Sequence, residues 1–315
     1  MAGDALRRYS VRVRRFARYL VILLCGLSIA GFAPAVADQD DDAAVDPSAG
    51  LPAYLERYSR PFVIDGLEFA FTQKYYWHRL FHPGMKDKVR GAGVLMASFV
   101  LAARKNRIQA DVAEDDSPRR ERFFRQAQDY GGKGIVPAIA VLFYVGGSAF
   151  HDYRAKETGF MLAESGLFTG ILTVTGMWVL SEDRPRDGGR LHPFHGIGHG
   201  VSGHAATAAS VAGVLSRMYL QVTPGDGRVK RTFKWIGKGL VYGAPVAVAF
   251  GRVNEQEHFA YSTVLGMAIG FYSSNAVADA HELYLEGGRS RLKPAGVGPI
   301  LGEGGGAGVG ARWEF

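Results

Sequence analysis

Long apolar segments run through the chain between residues 89 and 276 and are separated by shorter polar stretches. Their apolar residues do not follow the period of two that marks a half-buried strand, and each segment is longer than a typical strand. With shorter helices expected between residues 52 and 83, they predict an all-α fold, a helical bundle of about six core helices. The core segments are residues 89–104, 134–150, 158–180, 203–220, 235–250 and 259–276.

The same segments raise the question of whether the helices cross a membrane. Several of them approach the ~20 residues that a bilayer requires. However, ionisable residues interrupt them, and the mean hydropathy of the chain, −0.01, is low for a protein with many spans. We therefore expect an exported bundle with buried helices rather than an integral membrane protein. The interrupting residues are Glu164, His204, Arg217 and Lys238.

The first 37 residues have the layout of a secretory signal peptide, with a basic start, an apolar run and the small-residue site Ala35-Val36-Ala37. An uncleaved anchor helix is the alternative, although the apolar run is short for a bilayer span. The segment holds six arginines and Asp4, so the net charge falls from +7 for the whole chain to +2 without it. Because little basic excess is left, we expect no nucleic-acid partner. The predicted location is periplasmic or associated with the inner membrane.

The remaining chain is divided by its composition. Residues 38–50 are acidic and small, and they predict a disordered spacer because nothing in them packs. The helical domain is expected over residues 51–290, with a solvated charged connection at residues 104–126.

The C-terminal residues 291–315 form a glycine-rich tail. Its last residues alternate at a period of two, which predicts one strand. We expect the tail to pack on the bundle, with association with the outer membrane as the less favoured alternative. The alternating residues are Val309, Ala311, Trp313 and Phe315.

Three short blocks place arginines and histidines beside glycines. They are Arg184-Pro185, Ser202-Gly203-His204 and the block from Arg252 to His258. Arginine presents a rigid fork of donors that stays charged, so two converging arginines are suited to clamp an oxyanion such as phosphate. A serine and a glycine before a helix add a hydroxyl and bare N–H groups at its positive end. Two histidines beside such a site supply a nucleophile and a general acid.

In this order, the three blocks resemble those of the type 2 phosphatidic acid phosphatase (PAP2) superfamily, which also includes bacterial acid phosphatases and vanadium haloperoxidases. Fifteen residues separate Pro185 from Val201, and 46 separate His204 from Gly251, spacings that this superfamily tolerates. The resemblance covers roughly residues 130–280, and the chain is identified as a divergent, exported bacterial member.

The resemblance implies a phosphatase that uses neither a metal nor a cofactor. His258 would attack phosphorus and form a phosphohistidine, and His204 would protonate the leaving alkoxide. The substrate would be a small phosphomonoester or a lipid (pyro)phosphate, and membrane association is compatible with either. The phosphoryl oxygens would be bound by Arg184, Ser202, Gly203 and Arg252.

Four positions depart from the superfamily pattern: Val201 and Gly251 replace a usual proline and a usual serine, and the other two lose a charge. Met177 stands where a lysine is usual, and Ser262 stands where an aspartate usually follows the nucleophilic histidine. Ser262 lies one helical turn from His258, so its hydroxyl is expected to orient the imidazole without adding a negative charge. Glu164, a carboxylate in an apolar helix, is expected either to brace Arg252 or a site histidine, or to be paired locally in the core. Arg186 and Arg190 are candidates to replace the missing lysine charge.

Alternatives from other classes stay open on the sequence. The two departures fit a degenerate member that binds a phosphorylated lipid or glycan without turnover, and a vanadium haloperoxidase uses the same scaffold. Three further histidines precede His204, and they can be read as loop packing, as groups that face the substrate, or as zinc ligands. The glycines among them argue against the helical pair that a zinc site would use. These histidines are His192, His195 and His199.

Overall fold

The computed structural model describes residues 61–113, 118–132, 134–284, 296–301 and 307–312. The predicted signal peptide and acidic spacer lie outside these residues. The described helices are α1 (Pro61–Phe81), α2 (Met85–Ala103), α3 (Lys105–Ala113), α4 (Pro118–Asp129), α5 (Ile135–Ala149), α6 (Tyr153–Val179), α7 (Gly203–Tyr219), α8 (Arg228–Asn254) and α9 (Ala260–Leu283), with a 3-10 turn at Pro185–Asp187.

The six long apolar segments all form helices, so the predicted all-α fold is confirmed. Local signals explain where two of them begin. Asp152 accepts a hydrogen bond from the N–H of Ala155 at the start of α6, and Ser202 accepts one from the N–H of Ala205 at the start of α7. Both side chains satisfy amide groups that have no partner inside the helix.

The segment that was expected to be a solvated connection, residues 104–126, instead contains α3 and the larger part of α4. Ile108 is buried in the core, and the ring of Phe124 packs 6.1 Å from that of Phe250 on α8. The prediction was wrong because it rested on the many charged residues in the segment and overlooked a few apolar residues at helical spacing. Those few residues hold α3 and α4 against the neighbouring helices.

Glycines allow α7 and α9 to cross with their backbones in contact. A Cβ atom at Gly266 would overlap the carbonyl oxygen of Ser202, and one at Gly270 would overlap that of Ala206. At the same crossing, the N–H of Ser202 donates to the carbonyl oxygen of Ser262 at 3.0 Å. The start of α7 is therefore fixed against the start of α9.

The chain divides into two compact units, and the larger one comprises residues 83–275 of the described chain. Its core is formed by α2, α3, α7, α8 and α9. The small side chains of α7 let larger ones from α9 approach closely. The buried residues of this core include Leu101, Ile108, Ala205, Ala209, Ala249, Met267 and Phe271.

The second unit contains α1, the end of α9 from residue 276, and two strands. Within it, Arg79 pairs with Asp279 at 2.5 Å, and Phe71 packs against Tyr284. In the described part of the region in which several short helices were expected, residues 61–83, the chain forms one helix, α1. The strand predicted from the alternating residues is β2 (Ala307–Arg312), and it pairs antiparallel with β1 (Gly296–Leu301), which was not expected. Trp313 and Phe315 lie outside the described residues.

One described helix, α6, is long and apolar enough to cross a membrane. A core helix of a soluble protein has the same length and composition, and 39% of the most apolar window of α6 is buried inside the protein. This finding fits membrane association only weakly.

Candidate functional site

The loop between α6 and α7 carries the first sequence block and leads into the second. It folds back on itself, since Glu182 and Leu191 form an antiparallel bridge and the N–H of Asp183 donates to the carbonyl oxygen of Arg190 at 2.9 Å. Farther along, Gly198 and Gly200 lie so close to residues 180–182 that a Cβ atom on either would overlap the backbone there. The loop thus returns beside its own beginning, next to the start of α7.

The two predicted phosphate-binding arginines come together at one carboxylate. Arg184 Nε lies 3.1 Å from Oε2 of Glu257, and Arg252 Nη2 donates to the same oxygen at 3.2 Å. Arg186 Nη1 lies 2.6 Å from the other oxygen, Oε1. We call these three arginines the arginine cluster. Arg186 was weighed as a substitute for the missing lysine, whereas Glu257 was not foreseen.

The end of α8 places Glu257 and His258 in this cluster. Gln256 adopts a left-handed conformation with φ of 52°, which ends the helical path. The carbonyl oxygen of Arg252 then accepts hydrogen bonds from the N–H groups of Glu257 at 3.0 Å and His258 at 3.2 Å. The first and last residues of the third block are therefore joined through the backbone.

The imidazole of His258 is buried and is oriented by a backbone group. Its Nδ1 lies 2.9 Å from the carbonyl oxygen of His199. Because a carbonyl oxygen can only accept, Nδ1 carries the proton and Nε2 is the basic nitrogen. Burial is the main cause that lowers the pKa of His258 to about 3, with Arg252 adding to the effect. The ring is therefore neutral over the whole physiological range of pH.

His199 lies beside His258, with ring centroids 5.6 Å apart in an edge-to-face arrangement. Its pKa is lowered by burial and by the nearby Arg184. The backbone N–H of His199 donates to the carbonyl oxygen of Glu182 at 2.7 Å. Of the three additional histidines, this is the one that reaches the site.

The other two additional histidines lie on the exposed part of the loop. His192 Nε2 is 3.4 Å from the carboxylate of Asp183, and Nδ1 of His195 donates to the carbonyl oxygen of Pro193 at 2.9 Å. Phe194, between them, has φ of 64° and packs against Trp178. These contacts fit loop packing.

The second block forms the start of α7. Ser202 is fully buried as the residue that caps this helix, and Gly203 is the first helical residue. The side chain of Met177 reaches this position, because a Cβ atom on Gly203 would lie 3.4 Å from its methyl carbon. His204 follows, and its electrostatic influence is one of those that lower the pKa of His258. The second block and the nucleophile candidate are thus close in space.

Two of the predicted orienting residues act differently in the structure. The hydroxyl of Ser262 donates to the carbonyl oxygen of Phe259 at 2.8 Å, and the imidazole of His258 is bound by His199 instead. Glu164 is buried on α6, thirteen residues before Met177. At a rise of ~1.5 Å per residue, this is about 20 Å along the helix. The carboxylate that braces Arg252 is Glu257.

A second polar network holds the loop between α6 and α7 against α3. Lys105, at the start of α3, donates to the carboxylate of Glu182 at 2.7 Å and to the carbonyl oxygen of Gly189 at 2.9 Å. The hydroxyl of Tyr261 donates to the other oxygen of Glu182, and burial with this contact raises the pKa of Tyr261. Since the carbonyl oxygen of Glu182 also binds the N–H of His199, the network holds the residue that orients His258.

The arrangement combines a neutral, basic imidazole nitrogen with guanidinium groups and a helix N-terminus. Such groups suit the transfer of a phosphoryl group, because they stabilise charge on its oxygens. The chain matches none of the curated proteins and none of the solved structures with which it was compared. Residues 156–283 match the family model described as the PAP2 superfamily, and they contain all three blocks. This match supports membership of the PAP2 superfamily for the segment that carries the site.

Proposed function

We propose that the protein is an exported phosphatase that hydrolyses a phosphomonoester or a lipid (pyro)phosphate through a phosphohistidine intermediate. The PAP2 superfamily consists generally of phosphoric-ester hydrolases, which supports the reaction class. The observation that carries the proposal is the buried His258, whose Nδ1 is bound by a backbone carbonyl beside the arginine cluster.

In the proposed first step, Nε2 of His258 attacks phosphorus as the bond from phosphorus to the leaving oxygen breaks. His204 donates a proton to that oxygen, so the product leaves as an alcohol. In the second step, water attacks the phosphohistidine while His204 accepts a proton, and the phosphorus–nitrogen bond breaks to release phosphate.

The burial of His258 explains how it serves as a nucleophile in acid. An imidazole whose pKa is lowered to about 3 stays unprotonated at mildly acidic pH, where a free histidine would lose its nucleophilic form. Guanidinium groups from Arg184 and Arg252 supply the positive charge for the phosphoryl oxygens, with Ser202 and the N–H of Gly203 at the helix start. Arg186 supplies the charge that Met177 lacks.

Exposed apolar side chains support a membrane surface as the place of action. Val229, Phe233, Ile236 and Leu240 lie on one face of α8 and are between 55 and 72% exposed. Their spacing of three and four residues places them along one stripe. Lysines and arginines flank this stripe, as in helices that lie at the surface of an anionic membrane. These are Arg228, Lys230, Arg231, Lys234 and Lys238.

The test is a panel of substrates assayed with wild type and His258→Asn. The asparagine keeps a donor for the carbonyl oxygen of His199 but has no nucleophilic nitrogen. We expect wild type to hydrolyse p-nitrophenyl phosphate, a lipid phosphate or an isoprenyl pyrophosphate, and the variant to lose at least about a thousandfold in kcat. Equal rates for the two proteins, or no hydrolysis of any substrate, would refute the proposed function.

A binding protein without turnover is the second candidate, and the ion pairs of Glu257 with the arginine cluster favour it. This function predicts phosphate binding that requires Arg184, with no hydrolysis of the panel. The same panel, with binding of inorganic phosphate measured in parallel, separates the two functions.

A further inference from the structure

The arginine cluster already holds an anion that belongs to the chain. Oε2 of Glu257 lies 3.1 Å from Arg184 and 3.2 Å from Arg252, and Oε1 lies 2.6 Å from Arg186. The guanidinium group binds carboxylates and phosphates through the same fork of N–H donors. The donors that the proposed function assigns to phosphate oxygens are therefore engaged by a carboxylate.

The position of Glu257 along the chain makes this contact specific. It directly precedes His258, and the backbone N–H groups of both residues bind the carbonyl oxygen of Arg252. The carboxylate is therefore tethered to the nucleophile candidate, within the same turn. Its side chain is 15% exposed, and that of Arg186 is 44% exposed, so this pair lies toward the solvent side of the cluster. A side-chain rotation that follows Arg186 outward would free Arg184 and Arg252.

We propose that Glu257 is a specificity-determining residue that occupies the phosphate position in the free protein and must be displaced by the ligand. The inference rests on the proposed function. A carboxylate that remained in place would repel the incoming phosphate, and one that moved would give up its three ion pairs. The ligand must therefore replace the three ion pairs itself, and a dianionic phosphoryl group, with its larger charge, replaces them better than a singly charged anion does.

The test measures the dissociation constant of inorganic phosphate for the full chain by calorimetry. We expect Glu257→Gln to bind phosphate about tenfold more tightly than wild type, or better, because the competing charge is gone. Dimethyl phosphate, a monoanion, should bind detectably to Glu257→Gln and not to wild type. The matched control is Glu255→Gln, which removes the same charge two residues away, where the carboxylate lies 3.9 Å from Arg125. Its phosphate affinity should stay within about twofold of wild type.

The opposite role, in which Glu257 merely braces the arginines, predicts weaker phosphate binding in Glu257→Gln. Weaker or unchanged affinity, together with measurable binding to wild type, overturns the inference and leaves the proposed function standing. Phosphate binding by none of the proteins overturns both. Glu257→Ala provides a second variant should the first fail to fold, and its phosphate affinity should shift in the same direction.

Discussion

The two sides of the site are held in place by different kinds of contact. On the histidine side, His258 is oriented by the carbonyl oxygen of His199, and Ser202 is held by the carbonyl oxygen of Ser262. On the arginine side, Arg184, Arg186 and Arg252 are brought together by the side chain of Glu257. A backbone group is present whatever the residue, whereas a side chain is lost or gained by one substitution.

This difference bears on the two departures from the superfamily pattern that lose a charge, Met177 and Ser262. With a serine at position 262, Nδ1 of His258 still has an acceptor, because the backbone carbonyl of His199 binds it. At the proposed site, the charge that Met177 lacks would come from Arg186, which pairs with Glu257 in the arginine cluster. The contacts that orient the histidine side therefore do not depend on a particular side chain, whereas those that gather the arginines change when Glu257 is substituted.

After the loss of the nucleophile in His258→Asn, the largest effect is expected on the arginine side. Arg252→Ala should lower kcat/KM by about 10- to 100-fold, because a largely buried charged hydrogen bond contributes roughly 1.5–3 kcal/mol. Arg186→Ala should cost less, since the side chain of Arg186 is 44% exposed and that of Arg252 is 13% exposed. Steady-state kinetics on the best substrate of the panel measure both. An Arg186 variant as slow as the Arg252 variant would contradict this ranking.

The histidine side should be sensitive to the helix crossing that carries it. Gly266→Ala places a methyl group against the carbonyl oxygen of Ser202, and we expect the free energy of unfolding to fall by about 1–3 kcal/mol. Gly170→Ala on α6 is the matched control, because a Cβ atom there meets nothing within 4 Å. This control should be neutral or slightly stabilising. Chemical denaturation of both variants tests the difference, and equal stabilities would argue against a tight crossing.

The burial of His258 should make the protein less stable in acid. Its pKa is about 3 in the folded protein and 6.5 when unperturbed, so between these values the unfolded chain binds a proton that the folded protein does not. The free energy of unfolding should therefore fall as the pH is lowered from 6.5 toward 3, by up to about 1.4 kcal/mol per pH unit from this residue.

Denaturation of wild type and His258→Asn across this pH range measures the contribution. The asparagine does not titrate, so the stability of the variant should depend less steeply on pH. Carboxylates and His199 titrate in both proteins and drop out of the comparison. Parallel curves would show that His258 is protonated as readily in the folded protein as in the unfolded chain.

The smallest effect is expected at Ser262. Ser262→Ala removes one hydrogen bond, to the carbonyl oxygen of Phe259, and should cost about 1 kcal/mol of stability with little change in kcat. Ser262→Asp restores the residue usual in the superfamily, and it should not raise kcat, because Nδ1 of His258 already has its acceptor. A clear gain in kcat with the aspartate would show that the backbone carbonyl is a poor substitute.

Much of the fold was predictable because periodicity along the chain reports on local backbone conformation. The six apolar segments became helices within about five residues of their expected bounds, except that α8 starts seven residues earlier and α9 ends seven residues later. The first seven residues of α8 are rich in lysine and arginine, so the apolar residues at helical spacing among them do not stand out in the sequence. For the same reason α3 and α4 were not predicted, because a few apolar residues decide the packing of segments that are mostly charged and polar.

The site was predictable only in part. Ordered spacing predicted which arginines and histidines belong together, and the arginines of the first and third blocks do meet, at Glu257. Spacing does not predict which carboxylate they meet. Arg252 pairs with Glu257, and the burial of Glu164 on α6 fits its alternative role as a residue of the core. Spacing also does not reveal Lys105, which comes from outside the segment that matches the superfamily model.

By itself, the sequence determined the helical segments, the three blocks and their order, since these depend on residue types and local spacing. Only the tertiary structure decided which groups hold the site. Every residue has a backbone carbonyl, so nothing in the sequence marks that of His199 as the acceptor for His258. The contact depends on the path of the loop, which glycines allow to fold back on itself. The occupation of the arginine cluster by Glu257 likewise requires three segments to converge in space.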